Sequence, residues 1–211
     1  MSNLLECYKN IKNYVILRGF GDEIRWQEEM NFECVTETDF LRESAWVILC
    51  SGMNEGVIRK YFKNISFCFF EWESAEKIVE MKKYCIEYAM QIFKNDRKIN
   101  AIANTAEKIV DIGFQEIKIM LFESPIETLQ TFPFIGPITA YHLAKNLGLP
   151  FAKADRHLSR LSKCLGYSNV QNFCKELSEI SEDTIQVVDI VLWRFATLRS
   201  NYINIFKENM V

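Results

Sequence analysis

The chain is poor in residues that interrupt helices: its 211 residues include 8 glycines and 4 prolines. Glycine and proline mark most turns and helix ends. A chain with so few of them has few turns and strands, so the composition favours long helices. No apolar run approaches membrane-spanning length, and the N-terminus lacks the charged-then-apolar pattern of a signal peptide. We therefore expect a soluble, cytoplasmic protein without a membrane partner.

Cysteines are present but lack the spacing of a metal site. The 7 cysteines form no C-x-x-C pair and fall mostly in apolar stretches, such as Cys50 after AWVIL and Cys68 within ISFCFF. This pattern is typical of buried free thiols in a reducing compartment. Zinc and iron–sulfur sites need clustered ligands, so we expect neither a metal nor another cofactor.

An overall excess of basic charge is also absent, because the net charge is −3 at pH 7. The charge is nevertheless segregated along the chain. Between residues 137 and 163, five lysines and arginines stand against one acid, Asp155, for a local charge of +4, and the rest of the chain sums to −7. Phosphate binding needs a local basic face rather than a basic protein. The negative net charge therefore does not exclude a nucleic-acid partner.

Hydrophobic spacing predicts helices nearly throughout. Thr36 or Thr38 is a suitable cap for a helix to Cys50, and Ser74 for one long helix to about residue 93. Only residues 66–70 suggest a strand, and they suit a buried loop equally well.

The length allows one large domain or two small ones. We expect an all-α protein of two helical lobes. Residues 1–35 and 150–211 form the terminal lobe, and residues 36–149 form the central lobe.

Residues 132–140, FPFIGPITA, predict a tight turn between two helices. Pro137 suits a first helical position, and Gly136 permits close approach of another backbone. The unpaired N–H groups and the positive dipole end of the second helix bind phosphate, and Lys145 adds charge two turns later. Taken alone, such a turn is more typical of an ordinary helical corner.

Asp155 follows this turn and stands among Lys153, Arg156 and Arg160. An aspartate at a helix N-cap is common and needs no catalytic role. A carboxylate beside an anion-binding surface repels the ligand, however, unless it takes part in the chemistry. A lone ionised aspartate near a phosphodiester stabilises a developing sugar cation or activates water at C1′.

The turn, the spacing and the aspartate together resemble the helix-hairpin-helix DNA glycosylases of the endonuclease III superfamily. That family carries L-P-G-[IV]-G-x-x-T-A and, further along, [VP]-D-x-H-[VL]-x-R-[VL]-x-x-x-L-G. This chain reads FPFIGPITA and ADRHLSRLSKCLG. The segments AWVILCSGMNEGVIRKYF and NDRKINAIANTAEKIV resemble helices that precede the hairpin in the family, so the resemblance covers about residues 40–200.

The resemblance implies a DNA-binding cleft between two helical lobes, a nucleoid-associated monomer, and double-stranded DNA with a damaged base as its partner. Gly136 and neighbouring N–H groups would hold a phosphate, and Asp155 would be the catalytic aspartate. The damaged base would be flipped into an interlobe pocket, and Met53 or Asn54 would wedge into the vacated space. Further DNA contacts are expected from Phe134, Ile138, Thr139, Lys145, Lys153, Arg156 and Arg160, and base-pocket walls from Trp46, Tyr141, His142 and Trp193.

The chain departs from the family pattern at three places. Bifunctional members carry a nucleophilic lysine two residues after the second hairpin glycine, where this chain has Ile138. We therefore predict a monofunctional glycosylase of base-excision repair that uses water, while Lys153 and Lys145 keep a lyase alternative open. Phe134 replaces the first hairpin glycine, and the iron–sulfur cysteines of many relatives are missing.

The excised base is expected to be an alkylated or oxidised purine. An aromatic pocket suits an electron-poor alkylated purine through cation–π attraction, whereas a polar pocket suits 8-oxoguanine or a mismatched base. Two other functions remain open. One is a non-catalytic helix-hairpin-helix DNA-binding module in which Asp155 only caps a helix, and the other is a structural helical protein that does not bind DNA.

Overall fold

The computed structural model describes residues 2–210 of the chain, with side chains for residues 3–208. Helices make up 79% of the chain and the described residues contain no strand, so the predicted all-α class is confirmed. No helix in the described range is both long and apolar enough to cross a membrane. The α-helices of these residues are, in chain order, α1 (Ser2–Val15), α2 (Gly21–Glu29), α3 (Glu37–Cys50), α4 (Glu55–Cys68), α5 (Ala75–Glu80), α6 (Lys82–Ile92), α7 (Asp96–Ile112), α8 (Phe114–Glu123), α9 (Pro125–Gln130), α10 (Pro137–Asn146), α11 (Arg156–Cys164), α12 (Val170–Ser181), α13 (Ile185–Leu198) and α14 (Tyr202–Met210).

Helix starts follow the predicted capping residues closely. Thr36 caps α3: its Oγ1 accepts the Asp39 N–H at 3.2 Å, and the Asp39 carboxylate accepts the Thr36 N–H at 3.0 Å. This reciprocal capping box satisfies two N–H groups that a helix start leaves unpaired. The helix predicted from Ser74 to about residue 93 is wrong in one respect, because the backbone turns at Met81 (φ −102°, ψ 19°) and separates α5 from α6.

The strand suggested at residues 66–70 is wrong. Helix α4 continues to Cys68, and Phe70, Glu71 and Trp72 then adopt left-handed φ angles of 52°, 51° and 69°. Such a conformation costs about 1–2 kcal/mol per non-glycine residue. Burial of Trp72 offsets this cost, because the indole stacks on Phe69 at 5.3 Å and donates its Nε1–H to the hydroxyl of Ser66.

The described residues form two compact units. Unit 1 holds the residues up to Phe32 and those from Gly148 onward, and unit 2 is Glu33–Leu147. The sequence predicts the boundaries between the two lobes after residues 35 and 149, within three residues of these observed boundaries. Unit 1 therefore contains α1, α2 and α11–α14, and unit 2 contains α3–α10.

Unit 1 is built around α13, which contacts α1, α2, α11 and α12. The buried Arg194 of α13 forms a forked ion pair with Glu23 of α2, with N···O distances of 2.7–2.9 Å. Gly148 begins the second segment of the unit at φ 81°, and a Cβ there would lie 2.9 Å from the Met30 carbonyl oxygen. Only glycine fits this position. The largest buried side chains of the core include Tyr8, Phe173, Leu177, Val191 and Phe206.

Unit 2 is centred on α7, which contacts α3, α5, α6 and α8. The inward stripe of α7 is apolar at helical spacing. Helix α10 packs against α3 and α9. The packing of these helices therefore fixes the position of the turn between α9 and α10. The buried residues of α3 and α7 include Phe40, Ile48, Leu49, Ile99, Ile102, Ala106 and Ile109.

Candidate functional site

Asp155 is the N-cap of α11. Its Oδ1 accepts the backbone N–H groups of His157 at 2.8 Å and Leu158 at 3.0 Å. Both bonds end on Oδ1, and no donor among the described residues reaches Oδ2. The carboxylate is partly exposed. Asp155 therefore caps α11 through one oxygen, while its second oxygen receives no hydrogen bond from the described residues.

The segment that leads to Asp155 is held by side chains of α12 and α13. The Gln171 side-chain amide binds both backbone groups of Ala152, accepting its N–H at 3.0 Å and donating to its carbonyl oxygen. The carboxylate of Asp189, 3% exposed, accepts the Lys153 N–H at 2.8 Å. Gln186 donates to the Gly148 carbonyl oxygen at 2.8 Å. Because the backbone is bonded just ahead of Asp155, the carboxylate has a defined position.

The basic residues predicted around Asp155 lie together at the start of α11. Arg156 and Arg160 are one turn apart and exposed, while Lys153 is partly buried. Arg156 Nε donates to His157 Nε2 at 3.3 Å, and the imidazole packs edge-on against Tyr202 at 5.6 Å. Burial lowers the pKa of His157, the charge of Asp155 opposes this shift, and the neighbouring arginines add to it. His157 is accordingly a neutral residue of unit 1 at pH 7, and its buried Nδ1 has no hydrogen-bond partner among the described residues.

Helices α9 and α10 of unit 2 are joined by a turn at residues 131–136, hereafter the 131–136 turn. Phe134 occupies the position where the resembled family has its first hairpin glycine, and it adopts a left-handed φ of 65°. The phenylalanine therefore takes the conformation that glycine would adopt, at a cost of about 1–2 kcal/mol. Its side chain is 41% exposed.

The start of α10 presents backbone donors at Ile138 and Thr139. Gly136 itself is not such a donor, because its N–H bonds to Thr139 Oγ1 at 2.6 Å, and that hydroxyl also donates to the Gly136 carbonyl oxygen. This corrects the expectation that the Gly136 N–H holds a phosphate. Pro137 has no N–H, so the first unpaired amides of α10 belong to Ile138 and Thr139. The Ile138 side chain is 54% exposed beside them.

Two lysines of α7 that the sequence did not single out contact the 131–136 turn. Lys108 Nζ donates to the Thr131 carbonyl oxygen at 2.7 Å and lies 4.7 Å from the Phe132 ring centre. Lys98 Nζ lies 5.8 Å from the Phe134 ring centre. Burial lowers the pKa of both amines. Hydrophobic spacing in a sequence predicts that a lysine within a helix faces solvent. These contacts with the turn could therefore not be predicted from the sequence.

Loop 51–54 separates α3 from α4 and contains the two predicted wedge residues. The Asn54 side chain caps α4 by accepting the Gly56 N–H at 2.9 Å. The Met53 side chain is 40% exposed and takes no such role. Of the two candidates, Met53 is therefore the side chain presented to solvent.

The four predicted base-pocket residues belong to both units, three to unit 2 and Trp193 to unit 1. Trp46 lines a groove of about 450 Å³ on unit 2, where it packs edge-on against Phe62 at 5.0 Å and beneath Arg59 at 5.5 Å. Tyr141 and His142 lie half-buried on α10 and do not line that groove. Trp193 belongs to unit 1, where Arg194 covers its ring at 4.6 Å.

The groove beside Trp46 carries arginines but little net positive charge. Arg42 forms ion pairs with Asp39 at 2.7 Å and Glu43 at 3.2 Å, and Arg59 pairs with Glu55. Each arginine thus has an acidic partner, and the other charged residues that line the groove are Lys63 and Glu71.

Lys145 does not occupy the exposed position that was expected of a phosphate contact. Its residue surface is 4% exposed, and its charge acts on the buried carboxylate of Glu43. Lys145 faces the interior because α10 packs against α3. Lys145 is therefore not placed to contact a phosphate at the surface.

Within residues 2–210, no group of three histidine, cysteine, aspartate or glutamate side chains is placed to hold a metal ion. No protein-family model and no curated protein sequence matches the chain.

Proposed function

We propose that this protein is a monofunctional DNA N-glycosylase that excises a damaged base from double-stranded DNA. The observation that carries the proposal is the position of Asp155. It heads α11 with one carboxylate oxygen without a donor, next to the exposed Arg156, and it stands in the motif ADRHLSRLSKCLG. Helix capping alone accounts for an acceptor at this position but not for exposed arginines on the same helix.

The 131–136 turn and α10 support a phosphate contact in unit 2. The N–H groups of Ile138 and Thr139 lie at the positive end of the α10 dipole, and no acid occurs in the first turn of that helix. In this proposal α9, the turn and α10 act as the helix-hairpin-helix. Exposed Phe134 and Ile138 flank the bound phosphate.

Base release in the proposed reaction breaks the bond between C1′ and the base nitrogen. The bonding electrons leave with the base, and Asp155 stabilises the positive charge that develops on the sugar. A water molecule then forms the new bond to C1′, and Asp155 accepts its proton. That proton passes to the departing base when the base leaves as an anion, and to solvent when a cationic alkylated purine leaves as a neutral base. The products are the free base and an abasic site. Because Ile138 offers no amine, the reaction stops there without strand cleavage.

An alkylated or oxidised purine remains the proposed substrate. The base must leave the duplex before its glycosidic bond can be reached, and damaged bases cost less to unstack. Met53 is the proposed wedge, since it is the exposed side chain of loop 51–54.

A non-catalytic DNA-binding module is the second candidate. The two hydrogen bonds from the α11 backbone to Oδ1 favour it, because they explain an aspartate at residue 155 through helix capping alone. Under this alternative the same arginines and the same turn bind DNA, and no base is released.

The variants Asp155→Asn and Asp155→Ala distinguish a glycosylase from a non-catalytic DNA-binding module. Asparagine caps helices about as well as aspartate, whereas alanine at an N-cap costs about 0.5–2 kcal/mol. Base release is measured from duplexes that contain alkylated, oxidised, deaminated or mismatched bases. For a glycosylase, Asp155→Asn slows release by about 10²-fold or more while the duplex affinity and the free energy of unfolding stay near wild type. If the wild type releases no base from any duplex yet binds them, the module is the function.

A further inference from the structure

Lys98 is a buried lysine that contacts two segments of the proposed DNA-binding surface of unit 2. Its residue surface is 4% exposed. Its Nζ donates to the Leu49 carbonyl oxygen at 2.5 Å and to the Ser51 carbonyl oxygen at 2.6 Å. The same Nζ lies 5.8 Å from the ring centre of Phe134. One amine thus joins the start of loop 51–54 to the 131–136 turn.

The contacts on the α3 side complete a helix end. Helix α3 finishes at Cys50, and the last carbonyl groups of a helix lack intrahelical partners. Lys98 supplies donors to one carbonyl just before that end and one just after it. Loop 51–54 therefore leaves α3 in a direction that Lys98 helps to set.

The contact on the turn side explains the residue at position 134. A left-handed φ favours glycine, yet this chain has an aromatic residue there. A glycine has no ring to place near a buried ammonium, whereas an aromatic face attracts a cation. The contact with Lys98 offsets the backbone strain at Phe134.

We propose that Lys98 is a positioning residue that couples loop 51–54 to the 131–136 turn, so that the wedge and the phosphate contact are set by one amine. The DNA roles of the two segments rest on the proposed function, whereas the coupling is a property of the free protein. Lys98 acts through Met53 on one side and through Phe134 on the other and does not itself contact DNA.

Lys108 provides a matched comparison, because it contacts the same turn without any bond to loop 51–54. Both lysines lie on α7, and Lys108 bonds Thr131 through its backbone oxygen at 2.7 Å and its hydroxyl at 2.6 Å. Lys98→Met and Lys108→Met each remove the ammonium and keep an unbranched side chain that is one atom shorter. Only the first change removes a contact with loop 51–54.

Amide hydrogen exchange of the free protein tests the coupling. The reporters are the Ser51 and Met53 amides of the loop and the Ile135 and Gly136 amides of the turn, each of which is hydrogen-bonded. In Lys98→Met, exchange should accelerate by about fivefold at loop 51–54, as expected for the loss of a hydrogen bond, and by about two- to fivefold at the turn, as expected for the loss of a cation–π contact. In Lys108→Met, it should accelerate at the turn alone. Unchanged exchange at either segment in Lys98→Met overturns the proposal.

Phe134→Leu keeps the test decisive if Lys98→Met does not fold. Leucine removes the aromatic face and leaves Lys98 in place. Coupling predicts faster exchange at Ser51, on the far side of Lys98, whereas independent segments predict faster exchange at Ile135 only and would overturn the proposal. Binding of each variant to a duplex with a tetrahydrofuran abasic analogue is measured separately. Absence of binding by the wild type counts against the proposed function and leaves the exchange result intact.

Discussion

Asp189 accepts the backbone N–H of Lys153 at 2.8 Å, two residues ahead of Asp155. The acceptor lies on α13, in the interior of unit 1, where its residue surface is 3% exposed. A buried carboxylate is costly unless it is hydrogen-bonded. Its use here is to bond the irregular segment before α11, whose backbone has no helical partner. The position of the candidate catalytic carboxylate therefore depends on a buried residue of another helix.

Asp189→Ala should reduce both stability and base release. The change leaves the Lys153 N–H without its acceptor in a partly buried position, which costs about 1–3 kcal/mol. Urea unfolding measures this loss. Asp189→Asn, which retains an acceptor oxygen, should be the milder substitution in both assays. Base release is compared under conditions where both proteins are folded. If Asp189→Ala and wild type release base equally fast, the hydrogen bond from Lys153 to Asp189 is not needed to position Asp155.

The sequence predicted the residue that caps α11 but not the side chains that hold it in place. Aspartate ahead of an amphipathic helix is a local signal, and Asp155 was accordingly placed at a loop or helix start. Asp189 and Lys98 are charged residues inside predicted helices, where sequence periodicity assigns such residues to solvent. Their burial depends on the packing of distant segments, such as α13 against the 148–155 segment. Lys145 shows the same limit, because a basic residue after the turn was expected to face a phosphate and instead faces α3.

Ile138→Lys should convert the protein into an enzyme that borohydride can trap on DNA. Residue 138 is where the bifunctional relatives of the resembled family carry their amine, and its side chain is 54% exposed in this chain. An exposed lysine costs little stability at a helix start, usually within about 0.5 kcal/mol. Trapping is read as a covalent protein–DNA band on a denaturing gel.

Wild type, with isoleucine at residue 138, should give no such band, and Ile138→Gln is the control for added polarity. A band from the wild type would support the lyase alternative. Lys153→Gln and Lys145→Gln would then identify the amine.

The exposed arginines of α11 should contribute to the salt dependence of duplex binding. Each phosphate contact releases condensed counterions, so Arg156→Gln and Arg160→Gln should each reduce the slope of log K against log salt by about 1. Lys175→Gln is the matched control, since Lys175 lies on α12 with its side chain 68% exposed and outside the proposed interface. The slope is obtained from fluorescence anisotropy titrations at several salt concentrations. An equal reduction in all three variants would indicate a general charge effect instead of phosphate contacts.

His157 should make the free energy of unfolding depend on pH near neutrality. Burial lowers its pKa in the folded protein below the usual value of about 6.5. Between the lowered value and about 6.5, the unfolded chain binds more protons than the folded one. The contribution of His157 to stability is therefore present above about pH 6.5 and is lost as the pH falls toward the folded pKa. His157→Gln removes this dependence.

The measurement is the difference in unfolding free energy between wild type and His157→Gln, taken by urea titration from about pH 7.5 to about pH 5. Taking the difference cancels groups common to both proteins, such as Glu43, whose pKa is raised by burial. The wild-type advantage should shrink as the pH falls through this window, because protonated His157 is disfavoured in its partly buried position beside Arg156 and Tyr202. An advantage that grows on acidification would mean that the charge of Asp155 outweighs burial and that His157 is an imidazolium partner of that carboxylate.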